Sequence, residues 1–381
     1  MFFSALMLTL CRSRLHARPT YFYGLIVPVE TQISQTSLKL AADGAKVMLM
    51  QGASKHFALI SMLFIGFVNC SLAQTSSFSK LVVFGDSISD TGNLAVVDLP
   101  FPFFENRISN GPVLVDFIAT AINSNADRSG HLLGESAGFN YAVSGGNIVG
   151  SDPEDLNQQV SAFLDRGNQQ ADPDALYVVI MGGNDLRDVR SIADAAIATT
   201  EINAMITELN TQITRLSNAG ARAFLIANAP NVGRIPETLA LLPDDPDIVT
   251  RTENRVREYN QAFSQMLIEF TQRADLSVVE FDLFQALEYI LDNPASFGFD
   301  NIEQGCFDSE NFSIEFECLL FGFDTRVFFD NIHPSAATNE IVAPSVIAAI
   351  PALPSEFNDD VQNQAVFIPA ILQLLLEQTQ N

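Results

Sequence analysis

Short apolar runs alternate with longer helical patterns along most of this chain. The apolar runs include KLVVF (80–84), ALYVVIM (175–181) and ARAFLIANA (221–229), and helix-like segments cover 188–216 and 251–273. Runs that are apolar on both faces are typical of strands buried between two helical layers, and their alternation with helices indicates parallel strands. The sequence therefore predicts an α/β fold, a three-layer α/β/α sandwich with a mainly parallel central sheet.

Unusual polar sequences follow two of the predicted strands. FGDS (84–87) ends the first strand, and GGND (182–185) follows the second. In sheets of this kind, sites form at the carboxyl edge, where the strands end. Both sequences are therefore candidates for a functional site.

The N-terminal part of the chain has the layout of a secretory signal. The apolar run FALISMLFIGFV (57–68) is short for a membrane span and is followed by SLA (71–73), with small residues at the positions that a signal peptidase recognises. This predicts a leader over 1–73 and a secreted or periplasmic protein, with Met48 or Met50 as an alternative start. An uncleaved anchor is the competing interpretation.

Residues 74–381 are predicted to form one domain, since no repeat or linker divides them. The tail, 351–381, is predicted to be a packed helix or a lid and no stable membrane anchor. The whole chain has a formal net charge of −25, and the leader carries an excess of basic residues, so the domain is more acidic still. Such a charge disfavours nucleic acid and anionic membranes as partners. The oligomeric state is left open.

Cysteine usage agrees with export. Outside the leader the cysteines are Cys306 and Cys318. In an oxidising compartment such a pair predicts a disulfide, with two buried free thiols as the alternative.

Two serines compete for the role of a nucleophile. Ser136 lies in GESAG (134–138), which matches the G-x-S-x-G pattern of a nucleophile elbow. An elbow requires a strand before it and a helix after it, whereas a polar stretch precedes this one and FNYAV (139–143) has a strand pattern. Ser87 follows a predicted strand directly, and Gly85 permits a close approach of the backbone to a substrate. Helix capping is the alternative role for Ser87.

The choice of a general base is narrow, because His131 and His333 are the histidines outside the leader. His333 follows Asp330 by three residues, a spacing that lets one turn hold the carboxylate against the imidazole. His131 has Asp127 four residues earlier but no adjacent strand pattern. We interpret His131 as a surface loop residue.

Four segments in this order resemble the signature blocks of the SGNH hydrolases, also called GDSL esterases and lipases. They are FGDSISDTGN (84–93), GFNYAVSGG (138–146), MGGND (181–185) and FFDNIHPS (328–335). The resemblance covers nearly all of the predicted domain and implies the same flavodoxin-like sandwich. Ile88 replaces the leucine of GDSL. The first block is similar to that of the secreted lipase, lecithinase and haemolysin-like branch.

The resemblance implies Ser87 as the nucleophile, with Asp330 and His333 completing a catalytic triad. Asp90 and Asn93 of the extended first block either brace the loop or touch the substrate. The triad type implies an acyl-enzyme intermediate.

The same resemblance implies the donors of an oxyanion hole. They are the backbone N–H of Ser87, the backbone N–H of Gly145 and the side-chain amide of Asn184, and Gly146 rivals Gly145. Asp185 either orients the neighbouring loop or caps a helix.

Together these observations predict a serine ester hydrolase, an esterase or lipase, that acts on a small ester or lipid without a metal or other cofactor. The alternatives are an acyltransferase or phospholipase with the same triad, and a non-catalytic binding module. The acidic stretch LPDDPD (242–247) is interpreted as a solvated turn and not a calcium site. Nine phenylalanines in 297–329 either line an acyl pocket or pack in the core, and core packing is favoured.

Overall fold

A computed structural model describes residues 78–94 and 98–353 of the chain. The predicted leader, its cleavage site and alternative starts, and nearly all of the predicted tail lie outside the described residues. Within the two described ranges, no helix is long and apolar enough to cross a membrane.

A parallel four-stranded sheet forms the centre of the domain in the order β1-β2-β3-β4. Its strands are β1 (Leu81–Gly85), β2 (Leu176–Ile180), β3 (Ala223–Ala227) and β4 (Ser277–Phe281). Every residue of β1, β2 and β3 is buried, as the continuous apolar runs predict, whereas β4 at the edge is partly exposed.

Residues 139–143 extend the sheet beside β1. The Val83 N–H donates to the Phe139 carbonyl at 3.0 Å, and the Val83 carbonyl accepts from the Tyr141 N–H at 2.7 Å. The pairing is parallel to β1. The strand pattern of FNYAV therefore places the end of this segment at the same carboxyl edge as the ends of β1 and β2.

Helices cover both faces of the sheet. The α-helices of the described ranges are α1 (Leu114–Ala121), α2 (Leu156–Arg166), α3 (Gly183–Val189), α4 (Ala195–Ala219), α5 (Pro236–Leu239), α6 (Ile248–Thr271), α7 (Leu283–Asp292), α8 (Phe316–Phe321) and α9 (Ala336–Ala348). Helix α4 packs against α2 and α6, and α9 packs against α1 and α7. These two groups on either side of the sheet make the predicted three-layer sandwich.

The helical pattern over 188–216 is divided between two helices. Helix α4 begins after Asp194, whose carboxylate accepts from the N–H groups of Ala196 and Ile197 at 2.8 and 3.2 Å. This cap satisfies two backbone donors that have no partner within the helix, so it fixes the start of α4. The shorter α3 precedes it, and GGND (182–185) forms its N-terminal end, just after β2 at the carboxyl edge.

A disulfide-linked hairpin lies before the last of the four signature blocks, 328–335. Strands β5 (Phe307–Asp308) and β6 (Ser313–Ile314) pair antiparallel, and Cys306 bonds to Cys318 of α8, as predicted. The phenylalanines here differ in their surroundings. Phe307 is buried, but Phe312 is 72% exposed. Core packing therefore describes only part of the Phe-rich segment.

Candidate active site

The carboxyl edge of the sheet collects the predicted site residues. Ser87 follows β1 and Asn184 follows β2, and with His333 they line one pocket. Gly85 makes the close approach of the two strand ends possible, because a Cβ there would lie 2.5 Å from the Ile180 carbonyl oxygen. These side chains therefore meet at the carboxyl edge of the sheet, where the sequence predicted a site.

Ser87, His333 and Asp330 form a continuous hydrogen-bonded chain. The Ser87 Oγ lies 2.7 Å from His333 Nε2, and His333 Nδ1 lies 2.8 Å from Asp330 Oδ2. The backbone N–H groups of Ile332 and His333 also donate to Asp330 Oδ1, at 2.8 and 2.7 Å. One tight turn thus fixes both the carboxylate and the imidazole, as the three-residue spacing predicts.

The electrostatics of this turn keep Asp330 ionised. Burial alone raises the pKa of a carboxyl group, but the charge of His333 and the hydrogen bonds from His333 and Ile332 outweigh it. The pKa of Asp330 is therefore held below its usual range. An ionised carboxylate in this position holds the imidazole in one tautomer and stabilises its protonated form.

The structure separates the two candidate glycines. The Gly146 N–H donates to the Val143 carbonyl at 3.1 Å, so it is already used in a turn. The N–H groups of Gly145 and Ser87 have no acceptor within the described residues. Gly145 also has a φ of +89°, a conformation that favours glycine. Gly145 is therefore the better-placed donor.

The Asn184 side chain is held at both of its polar atoms. Its Nδ2 donates to the Gly146 carbonyl at 2.9 Å, and its Oδ1 accepts from Arg187 Nη1 at 3.0 Å. The amide nitrogen has two hydrogens, so one is left for another acceptor. The contact to Gly146 joins Asn184 to a segment 38 positions earlier, so its side chain does more than satisfy its own turn.

Buried carboxylates hold the loop that presents Gly145. Asp90 accepts from both the N–H and the hydroxyl of Ser144, at 2.8 and 3.0 Å. Asp185 accepts from the N–H groups of Ile148 and Val149, at 2.9 and 3.1 Å. Asp90 therefore braces the loop, and Asp185 orients its neighbour, one of the two roles expected for each.

Asn93 also braces this region. Its Nδ2 donates to the carbonyls of Asn140 and Ala142, at 2.7 and 2.8 Å, and its Oδ1 accepts from the Gly130 N–H at 2.9 Å. Asn93 is buried. Its hydrogen-bonding capacity is directed to the scaffold, so no polar atom is aimed at the pocket.

Ser136 lies away from any strand end. It is exposed, and its carbonyl accepts from Arg166 at 3.4 Å. Gly138 of the same pattern has a packing reason to be glycine, because a Cβ there would lie 1.9 Å from the Asp127 carbonyl oxygen. The G-x-S-x-G match is therefore a loop sequence, without the strand–turn–helix of a nucleophile elbow.

An apolar pocket opens beside Ser87. Leu283, Leu287 and Leu291 line it from α7, with Val342 of α9 among the aliphatic side chains around them. Leucines at these spacings lie on one face of the helix and span about 12 Å at a rise of about 1.5 Å per residue. These side chains therefore give the pocket an apolar wall along one face of α7.

Two further acids are buried near the site. Burial raises the pKa of Asp86 to about 6, although the hydrogen bond from the Ile88 N–H and the charge of His333 act in the opposite direction. Burial likewise raises the pKa of Asp185 to about 6, against its hydrogen bonds from Ile148 and Val149. Neither side chain is part of the Ser–His–Asp chain.

Comparison with known proteins identifies the family. The model of the GDSL-like lipase/acylhydrolase family matches residues 81–346, well over half of the chain. The chain belongs to this family. It is accordingly a GDSL-type carboxylic ester hydrolase, and the matched range contains the whole of the site described above.

Curated relatives of this GDSL protein come from plants and bacteria. A GDSL esterase/lipase of Arabidopsis thaliana is 26% identical over 348 residues, which cover 76% of this chain and 90% of the relative. The thermolabile hemolysin of Vibrio parahaemolyticus is 25% identical over 333 residues, 83% of this chain and 73% of the hemolysin. An inactive GDSL esterase/lipase-like protein of Arabidopsis thaliana is 23% identical, covering 79% of this chain and 80% of that protein. Membership of the family therefore does not by itself identify the reactive residues of this chain.

Two solved structures are similar at a lower level. A lipolytic protein of the G-D-S-L family from Veillonella parvula has a TM-score of 0.37 at 14% identity, covering 71% of this chain and 96% of its own. A catalytic mutant of an acetylxylan esterase from Geobacillus stearothermophilus has a TM-score of 0.40 at 12% identity, covering 71% and 93%.

Sequence reasoning missed the residues that support the site from a distance. Arg187 and Glu237 form an ion pair behind Asn184, with Arg187 Nε 2.8 Å from Glu237 Oε2. Gln159 bonds both backbone groups of Gly85, at 2.9 and 2.7 Å. Apart from Arg187, which follows the GGND block closely, these partners lie about 50 or more positions from the residues they hold, so no local pattern signals them.

Proposed function

We propose that this protein hydrolyses carboxylic esters with Ser87 as nucleophile, His333 as general base and Asp330 as the group that orients and stabilises it. The observation that carries the proposal is the unbroken chain from Ser87 Oγ to His333 Nε2, 2.7 Å, and from His333 Nδ1 to Asp330, 2.8 Å. A nucleophile within reach of a base that is itself oriented by a third group is the arrangement that acyl transfer requires.

The reaction proceeds in two halves. In the first, His333 Nε2 takes the Ser87 proton as Oγ attacks the ester carbonyl, and the alcohol leaves with that proton, so an acyl-serine forms. In the second, His333 Nε2 takes a proton from the water that attacks the acyl carbonyl and returns it to Ser87 Oγ as the carboxylic acid leaves. In both halves the developing oxyanion is received by the N–H groups of Ser87 and Gly145 and by the Asn184 amide.

The acyl group is proposed to occupy the apolar pocket. Burying apolar chain against Leu283, Leu287 and Leu291 contributes about 0.8 kcal/mol per CH₂, so longer acyl groups gain more from the pocket than acetyl does. The pocket thus supports an esterase or lipase with a preference for longer acyl chains. The matching measurement is the kcat/KM for p-nitrophenyl acetate, butyrate and decanoate, which we expect to rise along the series.

Export is part of the proposal. It is supported by the apolar run 57–68, by the small residues at Ser71 and Ala73, and by the Cys306–Cys318 disulfide, which is typical of oxidising compartments. The expected mature N-terminus is Gln74, and N-terminal sequencing of the protein from the culture medium or periplasm tests it.

The catalytic assignment is tested with two serine variants. Hydrolysis of p-nitrophenyl butyrate by the wild-type protein is compared with that of Ser87→Ala and Ser136→Ala, each checked for folding by its melting temperature. Activity is expected to disappear in Ser87→Ala and to persist in Ser136→Ala. A fluorophosphonate label, located by peptide mass spectrometry, is expected on Ser87. Retained activity in Ser87→Ala would overturn the proposal, as would a label on another serine.

A further inference from the structure

Arg187 connects the oxyanion donor to an ion pair. Its Nη1 donates to Asn184 Oδ1 at 3.0 Å, while its Nε and Nη2 donate to the two carboxylate oxygens of Glu237, at 2.8 and 2.5 Å. A guanidinium is planar, and a bidentate contact to a carboxylate fixes its plane. The remaining nitrogen of Arg187 is therefore aimed at Asn184.

The contact to Arg187 decides which way the Asn184 amide faces. The guanidinium only donates, so it accepts no hydrogen from an amide nitrogen. If the amide turned over, its NH₂ group would face Arg187 and its oxygen would face the carbonyl of Gly146, and two hydrogen bonds would be lost. The pair Arg187–Asn184 thus holds Nδ2 on the side of the Gly145 loop.

Glu237 ties the same ion pair to the catalytic turn. Its backbone N–H donates to the Asn331 carbonyl at 2.9 Å, and Asn331 lies between Asp330 and His333. Its carboxylate also accepts from Arg190 Nη2 at 2.7 Å. Helix α5 therefore connects the oxyanion side of the site to the acid–base side.

We propose that Arg187 is a positioning residue, which acts through Asn184 by holding its amide in the orientation that donates to the oxyanion. The inference rests on the proposed function of Ser87 and Asn184. Arg187 acts on the transition state, where the oxyanion exists, and not on the binding of the ground-state ester.

Arg190 supplies a matched control. It is buried and shares Glu237, but its other side-chain hydrogen bond goes to Thr238 Oγ1 at 2.7 Å, and in the described part of the chain it makes no hydrogen bond to Asn184. Arg187→Met and Arg190→Met therefore each remove one cation from the same carboxylate, while only the first releases the amide. In both variants Glu237 keeps one arginine.

Kinetics on p-nitrophenyl butyrate separate the two roles. We expect Arg187→Met to lower kcat on the order of tenfold to a hundredfold with KM within about twofold, less than the loss of a whole oxyanion donor. The inhibition constant of a trifluoromethyl ketone, which forms a tetrahedral adduct with a reactive serine, is expected to rise by a similar factor. Arg190→Met is expected to keep kcat within about threefold, even if its melting temperature falls by as much as that of Arg187→Met.

A double-mutant cycle gives the decisive readout. Once Asn184→Ala has removed the amide, adding Arg187→Met is expected to lower kcat no further, because Arg187 then has nothing to position. Arg187→Lys is expected to rescue little, since an ammonium group does not reproduce the planar contact to Glu237.

Two outcomes overturn the inference. One is a wild-type kcat in folded Arg187→Met, and the other is an undiminished effect of Arg187→Met in the Asn184→Ala background. Failure of the proposed function has a different signature. In that case Ser87→Ala stays active whatever the Arg187 variants do.

Discussion

Two histidines in this molecule lie equally close to a serine hydroxyl. His333 Nε2 is 2.7 Å from Ser87 Oγ, and His131 Nδ1 is 2.7 Å from Ser129 Oγ. A Ser–His contact of ideal length is therefore also present at Ser129 and His131, to which we assign no catalytic role. The comparison shows that the groups behind and in front of such a pair, and not its own distance, distinguish a reactive serine.

The two imidazole rings differ in the hydrogen-bond partner of their second nitrogen. His333 Nδ1 faces Asp330 at 2.8 Å, whereas His131 Nε2 is buried with no partner within the described ranges. Burial lowers the pKa of His131, although the charge of Asp90 acts in the opposite direction. A histidine in this environment favours its neutral form, and within the described ranges no carboxylate is hydrogen-bonded to its second nitrogen as Asp330 is to that of His333.

The space in front of each serine differs as well. Ser87 lines the apolar pocket and is 8% exposed. Ser129 is 1% exposed, and its Oγ lies 3.3 Å from Asn93 Oδ1. The Ser129–His131 pair thus braces the loop that Asn93 also holds.

Removing the two imidazoles is the strongest test of this comparison. His333→Ala is expected to reduce kcat for p-nitrophenyl butyrate on the order of 10⁵-fold, because the serine loses its base. His131→Ala is expected to stay within about threefold, because it affects only a braced loop. Melting temperatures of both variants check folding. Comparable losses in the two variants would contradict the distinction between them.

Replacing Asp330 tests the contribution of the carboxylate that is hydrogen-bonded to the second nitrogen of His333. Asp330→Asn is expected to lower kcat on the order of 10³- to 10⁴-fold, because an amide neither fixes the right tautomer nor stabilises the imidazolium. Asp127→Asn, four residues before His131, is the matched control and is expected to have little effect. The pH dependence of kcat/KM reports whether the surviving activity still uses His333. An Asp330→Asn variant with near wild-type kcat would remove the carboxylate from the mechanism.

Local sequence predicted the parts of the site that local backbone determines. Apolar runs located the strands, and strand ends located Ser87 and Asn184, because a strand's pattern and the turn after it are adjacent in the chain. Glu237 escaped prediction, since its contacts to Arg187 and Asn331 cross from one element to others far apart in sequence. The apolar pocket escaped for the same reason. Its lining comes from helices that meet only after folding.

The pocket in front of Ser87 gives a third test. Leu287→Trp adds bulk in the middle of the α7 face, so it is expected to lower kcat/KM for p-nitrophenyl decanoate on the order of tenfold. Hydrolysis of p-nitrophenyl acetate is expected to change less, because acetyl has little apolar surface to bury against α7. Leu319→Trp on exposed α8 controls for an added indole. Equal losses on both esters would place the acyl group elsewhere.

The smallest expected effect concerns the stability contributed by Asp86. Burial disfavours the charged form of any group, so it lowers the pKa of His131 but raises the pKa of the Asp86 carboxyl from 3.8 to about 6. The folded state thus binds a proton more tightly than the unfolded state, so the wild-type protein loses stability as pH rises from about 4 through 6. The full loss of stability is about 3 kcal/mol, because the pKa of Asp86 rises from 3.8 to about 6.

Asp86→Asn removes this dependence, because an amide does not ionise and its oxygen still accepts from the Ile88 N–H. We expect the variant to match the wild type near pH 4 and to exceed it by up to about 3 kcal/mol near pH 8. Urea unfolding at a series of pH values measures the difference, and Glu201→Gln on the exposed face of α4 controls for the loss of one negative charge. A stability difference that stays constant with pH would mean that Asp86 does not titrate in this range. Its burial would then be offset by other contacts, as the burial of Asp330 is offset by His333. Asp86 would then resemble Asp330 and not His131, whose buried Nε2 has no partner within the described ranges.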